Sequence, residues 1–226
     1  MSPGPMSPEH SGLAKALKAA ATALEESGDE LNRLDAFAGD GDMGVTMSEV
    51  ARALREVVGA DGAEGAARLL STCGAAIARS APSTSGTLLA TGLLRASKAL
   101  AGGPDGGVEV LERCFTAAMG GIQARGKASV GDRTLVDGLD AICTSLRGSR
   151  EAGHDVSRAL RSAAEAAAAA EQATSAMVPK VGRASWVPER ATGHPDAGCA
   201  MLAIVMRAAA ASVAGLGPVA GGGGPL

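Results

Sequence analysis

Three aspartates, Asp35, Asp40 and Asp42, fall within the sixteen residues Leu31 to Thr46, LNRLDAFAGDGDMGVT, and the glycines Gly39, Gly41 and Gly44 stand among them. Clustered carboxylates repel one another, and glycines add chain entropy that folding must overcome. A cation that gathers the charges would resolve both problems. Gly39 to Gly44 spells GxGxxG, but no strand precedes it, and its aspartates would repel a pyrophosphate unless a divalent ion lay between them, so a dinucleotide fingerprint fails. An EF-hand fails as well, because Thr46 stands where the twelfth-position Glu belongs. There is no GxxxxGK[ST] phosphate loop. A Mg2+ site of another kind remains, since magnesium takes hard oxygen ligands and bridges carboxylates to phosphates. Asp spacings of five and two do not share one helical face, so the ligands are expected from a curved loop. The plain alternative is a solvated acidic turn with an N-cap for the next helix.

Three further polar stretches have chemical content. Pro82-Ser83-Thr84-Ser85-Gly86 suits an anion, because hydroxyls and N–H groups at a helix start hold phosphate oxygens; an ordinary Ser/Thr N-cap is the simpler use. Gly126-Lys127 and Gly131-Asp132-Arg133 form a glycine-bearing connection in which Asp132 could cap the following helix. Asp137 and Asp140 read as solvated or salt-bridged positions on that helix. Gly182-Arg183-Ala184-Ser185-Trp186 and Gly193-His194-Pro195-Asp196-Ala197-Gly198 are denser in special residues than a passive loop requires. Arg183 could hold a phosphate, and Asp196 could cap a helix or hold a ligand hydroxyl. His194 could act as a general base, although a lone loop histidine is more often simply polar.

The elements that must position these stretches read as helices. Ala, Leu, Gly and Val dominate a chain that is 46% apolar, with two Phe, one Trp and no Tyr. That composition favours helix over strand. Apolar spacing predicts helices over about Ser11 to Ser27, Gly44 to Val58, Ala63 to Arg79, Ser85 to Leu100, Val108 to Ala124, Thr134 to Leu146, Val156 to Ser175 and Cys199 to Ala214. The expectation is therefore all-α: one domain, 11–215, of eight antiparallel helices in an up-and-down barrel. A loose Pro/Ser/Gly-rich segment, 1–10, precedes it and a Gly-rich tail, 216–226, follows. The four polar stretches occupy every second connection, which places them at one end of such an arrangement.

Composition also bounds partners. The formal net charge is −3 with the signs interspersed, and stacking aromatics are nearly absent, so nucleic acid is not an expected ligand. Four dispersed cysteines, Cys73, Cys114, Cys143 and Cys199, read as buried thiols in a reducing cytoplasm. Neither a signal peptide nor a membrane span is expected: the apolar run Cys199 to Leu216 is broken by Arg207 and falls short of the ~20 residues a bilayer needs. A homodimer is compatible with the sequence.

Taken in order, Leu34-Asp35, Gly39-Asp40-Gly41-Asp42, Thr84-Ser85-Gly86, Gly131-Asp132-Arg133-Thr134, Gly182-Arg183-Ala184-Ser185, Glu189-Arg190 and Gly193 to Gly198 resemble the nucleotide-binding L subunit, or C-terminal domain, of dihydroxyacetone kinases, the DhaL family. The likeness runs from about Leu13 to Ala214. It implies an eight-helix barrel with ADP or ATP at one end and two Mg2+ ions on Asp35, Asp40 and Asp42. Met43, Gly44, Val45, Thr46, Thr84 and Ser85 would meet the phosphates. Gly126, Leu135, Arg183, Asp196, Ala197 and Gly198 would line the nucleotide pocket, with adenine against aliphatic groups.

The resemblance further implies that a separate K subunit holds dihydroxyacetone or a similar ketose and supplies the acid–base groups. The nucleotide is then either exchanged ATP or a resident ADP recharged by a phosphotransferase-system protein. It also allows another acceptor, a tetrulose or a fatty acid, and a non-catalytic, nucleotide-sensing role with a transcription regulator as partner. Two positions depart from the pattern: Met43 stands where His or Cys is common, and Ala197 where Pro is common. A thioether cannot donate a hydrogen bond to phosphate.

Overall fold

Leucine, isoleucine, methionine and alanine, rather than aromatic residues, fill the core. Leu31, Met47, Leu69, Ile77, Ile142, Leu146, Met201 and Met206 are fully buried, and Phe115 packs against them only partly buried. Small side chains suit helices packed closely on one another. In the alanine-rich helix Val156–Thr174, Ala159, Ala163 and Ala167 repeat at intervals of four and are all fully buried. They form one face of that helix.

The computed structural model describes residues 8–60, 65–101 and 106–214. Ten α-helices follow in order: α1 Pro8–Glu26, α2 Gly28–Asp35, α3 Met43–Gly59, α4 Ala66–Ser80, α5 Thr84–Leu100, α6 Val108–Gly126, α7 Leu135–Glu151, α8 Val156–Thr174, α9 Pro188–Ala191 and α10 Ala197–Val213. A 3-10 turn, Arg183–Trp186, precedes α9. No strand occurs among the described residues. Eight of the helices are long, and they are the eight expected from apolar spacing. The expected start of the third predicted helix at Ala63 and its neighbours Asp61 and Gly62 lie outside the described residues, as does the Gly102-Gly103-Pro104 stop. Residues 8–10 open α1; the rest of the expected loose N-terminal segment, and the tail 216–226, also lie outside.

Each long helix packs on the next: α1 on α3, then α4, α5, α6, α7, α8, α10 and back to α1. The ring is closed, which makes it a barrel. Neighbours run antiparallel. Ser97 Oγ near the end of α5 donates to Ala67 O near the start of α4 at 2.7 Å. Glu112 near the start of α6 meets Arg150 near the end of α7 at 2.5 Å. The connections α2–α3, α4–α5, α6–α7 and α8–α10 consequently share one end of the barrel.

Two departures from the sequence expectation matter. The stretch from Leu31 was expected to be loop, yet Gly28–Asp35 is helical, and Asp35 is its last residue. Leu31 and Leu34 bury against α3 and α10, which offsets the low intrinsic stability of so short a helix. The second is the cap of α7. Thr134, not Asp132, caps it, and Asp137 completes a capping box. Asp137 accepts from Gly131 N at 2.5 Å and from Thr134 N at 2.8 Å. It therefore pins the turn on both sides of Arg133.

Candidate functional site

Helix α2 and the turn after it bring the aspartates together. Asp35 Oδ2 accepts from Gly41 N at 2.8 Å. Gly41 has φ +77°, a left-handed conformation that glycine takes without strain. Gly39 lies so close to the Asp35 carboxylate that a Cβ there would overlap it. The chain thus wraps around Asp35 and returns Asp40 and Asp42 to it. Carboxylate oxygens of Asp35, Asp40 and Asp42 all lie within 4.8 Å of one another. Asp42 occupies the N-cap position of α3 but makes no capping bond. Asn32 does that work from α2, its Oδ1 accepting from Gly44 N at 2.6 Å. The carboxylate that could have been spent on a cap therefore stays with the cluster.

The long segment between α8 and α10 closes over this cluster. Arg183 forms an ion pair with Asp40. Arg190 Nη2 donates to Ala36 O at 2.9 Å. His194 stacks flat on Phe37, ring centroids 3.4 Å apart and planes within 5°. One face of the His194 ring is thus committed to Phe37. The charges feel each other. The hydrogen bond from Arg183 holds the Asp40 carboxyl below its ordinary range. Burial, and then the charge of Asp40, push Asp42 up.

A second group gathers at the start of α10. Asp196 caps it, Oδ2 accepting from Cys199 N at 2.9 Å. A Cβ at Gly198 would stand 2.9 Å from Asp196 Oδ2 and 3.0 Å from Leu135 Cβ, so Leu135, Asp196 and Gly198 are in contact range, with Ala197 between them as the first residue of α10. Burial pushes the Asp196 carboxyl up to about 6, against backbone bonds from Cys199 and Gly198 and the nearby charge of Arg133, which pull it down.

Unfolded, an aspartate titrates near ~3.9. The folded chain therefore holds this proton more tightly, and stability from this group is lost as pH rises from about 4 to about 6. Asp196→Asn keeps the cap acceptor and removes the titration. Its stability relative to the unaltered protein, measured metal-free by denaturant midpoints, is expected to improve by about 1–3 kcal/mol between pH 4 and pH 7. A pH-independent difference would refute this.

The remaining sequence-derived candidates fall as follows. Met43 and Thr46 are 6% exposed: the Met43 side chain belongs to the core. Gly44 is buried, and Val45 is 58% exposed. Thr84 is exposed and Ser85 half-buried at the start of α5, where Ser83 accepts from Gly86 N at 3.0 Å as the cap. Gly126 is exposed at the end of α6, beside Leu88. Topology brings Thr84, Ser85 and Gly126 to this end, with no hydrogen bond from them to the acidic cluster among the described residues. Asn32, Phe37 and Arg133 take part in ways not read from the sequence. Asn32 bonds across twelve residues and Phe37 stacks across more than a hundred and fifty, so neither leaves a local pattern.

The donor set fits a hard divalent cation: three carboxylates and no sulfur or nitrogen ligand. The cysteines are free; Cys73, Cys143 and Cys199 are buried, as expected, while Cys114 is only half-buried, and burial pushes Cys73 up to about 11.

Comparison with known proteins gives the chain a family and a fold. The DAK2 domain family matches residues 37–211. The chain is 36% identical over 204 residues to a D-erythrulose kinase of Mycolicibacterium smegmatis, covering 88% of this chain and 34% of that protein. It is 32% identical over 177 residues to the ADP-binding subunit DhaL of the PEP-dependent dihydroxyacetone kinase of Escherichia coli, covering 78% of this chain and 84% of that one. Among solved structures, the dihydroxyacetone kinase from C. freundii in complex with AMP-PNP and Mg2+ superposes with a TM-score of 0.72 at 26% identity, over 94% of this chain and 36% of that one. The chain spans about a third of the length of the first curated relatives it matches.

Proposed function

Because this chain belongs to the DAK2 domain family, the family of the DhaL subunit, we propose that its domain, taken as 11–215, binds ADP or ATP with Mg2+ and presents the phosphoryl group to a small ketose held by a separate K-type unit. The observation that carries this reading is the convergence of three carboxylates within 4.8 Å at the barrel end where Arg183 also arrives. Asp35, Asp40 and Asp42 would hold the metal, with two ions as the proposed number. Bound Mg2+ supplies positive charge against the phosphate oxygens as the phosphoryl group moves.

The chain's own residues set the rest. Arg183 adds a positive group at the same place. Thr84, Ser85 and the amides opening α3 and α5 offer hydrogen bonds to anionic oxygens, aided by helix dipoles. Leu135, Asp196, Ala197 and Gly198 form a wall for the nucleoside, with Gly126 on the neighbouring connection. Acid–base chemistry on the acceptor is assigned to the partner unit, as two thirds of the longer kinases lie outside the matched region. A phosphotransferase-system donor would suit a resident ADP. No helix among the described residues is long and apolar enough to cross a membrane. A tetrulose is the second acceptor to consider, since D- and L-erythrulose kinases are among the relatives, at 36% and 34% identity.

Calorimetry with ADP and with ATP, each with and without Mg2+, tests the reading, followed by a coupled assay with a K subunit and either dihydroxyacetone or erythrulose. Mg2+-dependent nucleotide binding and turnover are expected. Absence of Mg2+-dependent binding would overturn the site. Binding without turnover on either ketose would move the protein to a nucleotide-sensing role.

A further inference from the structure

Resting on the nucleotide-binding reading above, we propose that Arg133 is the positioning residue of this site: it clamps the segment 175–196 from inside the barrel end and so holds Arg183 over the acidic cluster. That segment is long, and its only regular pieces are the 3-10 turn Arg183–Trp186 and the four-residue α9. Such a segment reaches one orientation only if it is anchored. Arg133 is 2% exposed. Its Nε donates to Thr174 O at 3.0 Å, and its Nη2 donates to Ala191 O at 2.8 Å and to His194 O at 2.7 Å. One side chain therefore joins the α6–α7 connection to both ends of the segment.

The backbone at Arg133 is built to deliver this side chain. Its φ is +62°, a left-handed conformation unfavourable for a side chain with a Cβ. Asp137 holds the flanking amides of Gly131 and Thr134, which keeps the turn in place. Nη1 remains buried without a hydrogen-bond partner, and no acid forms an ion pair with the guanidinium among the described residues. A positive left-handed residue with a buried spare donor is a poor choice for stability alone. It suits a fork that must reach three separate carbonyls, which a lysine ammonium on a single flexible stem cannot reproduce.

The clamp acts on the cluster through contacts already present. Arg183 pairs with Asp40, Arg190 bonds Ala36 O and His194 stacks on Phe37. All three depend on where the segment lies. The chain has one tryptophan, Trp186, and it stands on this segment, 79% exposed. Its fluorescence anisotropy decay reports segment motion directly.

Arg133→Met and Arg133→Lys are the variants, measured at low temperature where both are folded by far-UV circular dichroism. Three quantities are read: Trp186 local motion, the Mg2+-dependent ADP dissociation constant, and thermal midpoint. Arg133→Met is expected to free Trp186 and to weaken Mg2+-dependent ADP binding by about tenfold or more, with Arg133→Lys restoring part of both. A lowered thermal midpoint with unchanged Trp186 motion overturns the clamp. Freed Trp186 with unchanged affinity overturns the positioning role. If Arg133→Met does not fold, Arg133→Lys decides on the same two readouts. Should the unaltered protein show no Mg2+-dependent ADP binding, the nucleotide reading and the positioning role resting on it both fall, and Trp186 motion in the variants then supports or overturns the clamp alone.

Discussion

Asp40→Ala is expected to lower Mg2+-dependent ADP affinity by about a hundredfold or more, because loss of an outer-shell partner alone costs about 10–100-fold at metal sites. The metal-free fold should keep its helix content. Three carboxylates within 4.8 Å repel one another without a cation, and the charge of Asp40 is one of the causes that push Asp42 up. Removing Asp40 relieves that repulsion. It also removes the partner of Arg183, but both side chains of that pair are about half exposed, and such pairs contribute little. The two effects oppose each other and both are small, so the metal-free thermal midpoint should stay nearly constant while the Mg2+-dependent binding heat disappears. Calorimetry and a metal-free melt on the same sample give both numbers. Unchanged affinity would strike Asp40 from the ligand set. A large drop in the metal-free midpoint would mean that the Arg183 pair, rather than a cation, is the purpose of this carboxylate.

The barrel was legible because its signal is repetitive. Leucines and alanines at helical spacing mark each long helix, and polar stretches at every second connection place one chemical end. The acidic cluster was legible for a similar reason, since its three aspartates are close in sequence. What escaped was non-local or short. Helix α2 has eight residues and two buried leucines, too few to show a period, and the glycines after it resemble a loop. Asp42 stands at the N-cap position of α3, yet the capping bond comes from Asn32, twelve residues before Gly44. Met43 looked like a phosphate neighbour by motif, and its amide does open α3, while its side chain packs in the core. A thioether suits that apolar setting, where an imidazole would need hydrogen-bond partners. Arg133 was visible only as part of a four-residue motif. Its bonds span 41, 58 and 61 residues, and no local pattern encodes that reach.

Gly44→Ala should destabilise the protein, against what helix propensity alone predicts. Gly44 is the second residue of α3, and alanine is favoured over glycine in a helix by roughly 1 kcal/mol. A Cβ at this position, however, would overlap the Gly28 carbonyl at the start of α2, with the carbonyl carbon 2.6 Å away and Asn32 Oδ1 2.9 Å away. The obstacles are mainly backbone, so no rotamer change clears them. Helix α2 would have to move off α3, stretching the Asn32–Gly44 bond and unseating Leu31 and Leu34. Overpacking of this kind costs about 1–3 kcal/mol and more where backbone must shift, which outweighs the propensity gain. A net loss of about 2 kcal/mol, the upper end of that cost less the propensity gain, is expected, read as a lower urea midpoint at constant slope. Because Asp35 ends α2, Mg2+-dependent nucleotide affinity should fall with it. Val45→Ala, at the exposed neighbour, should change stability by less than about 0.5 kcal/mol. An unchanged midpoint for Gly44→Ala would mean that α2 does not abut α3, and the route by which the backbone delivers Asp35 to the cluster would have to be drawn differently.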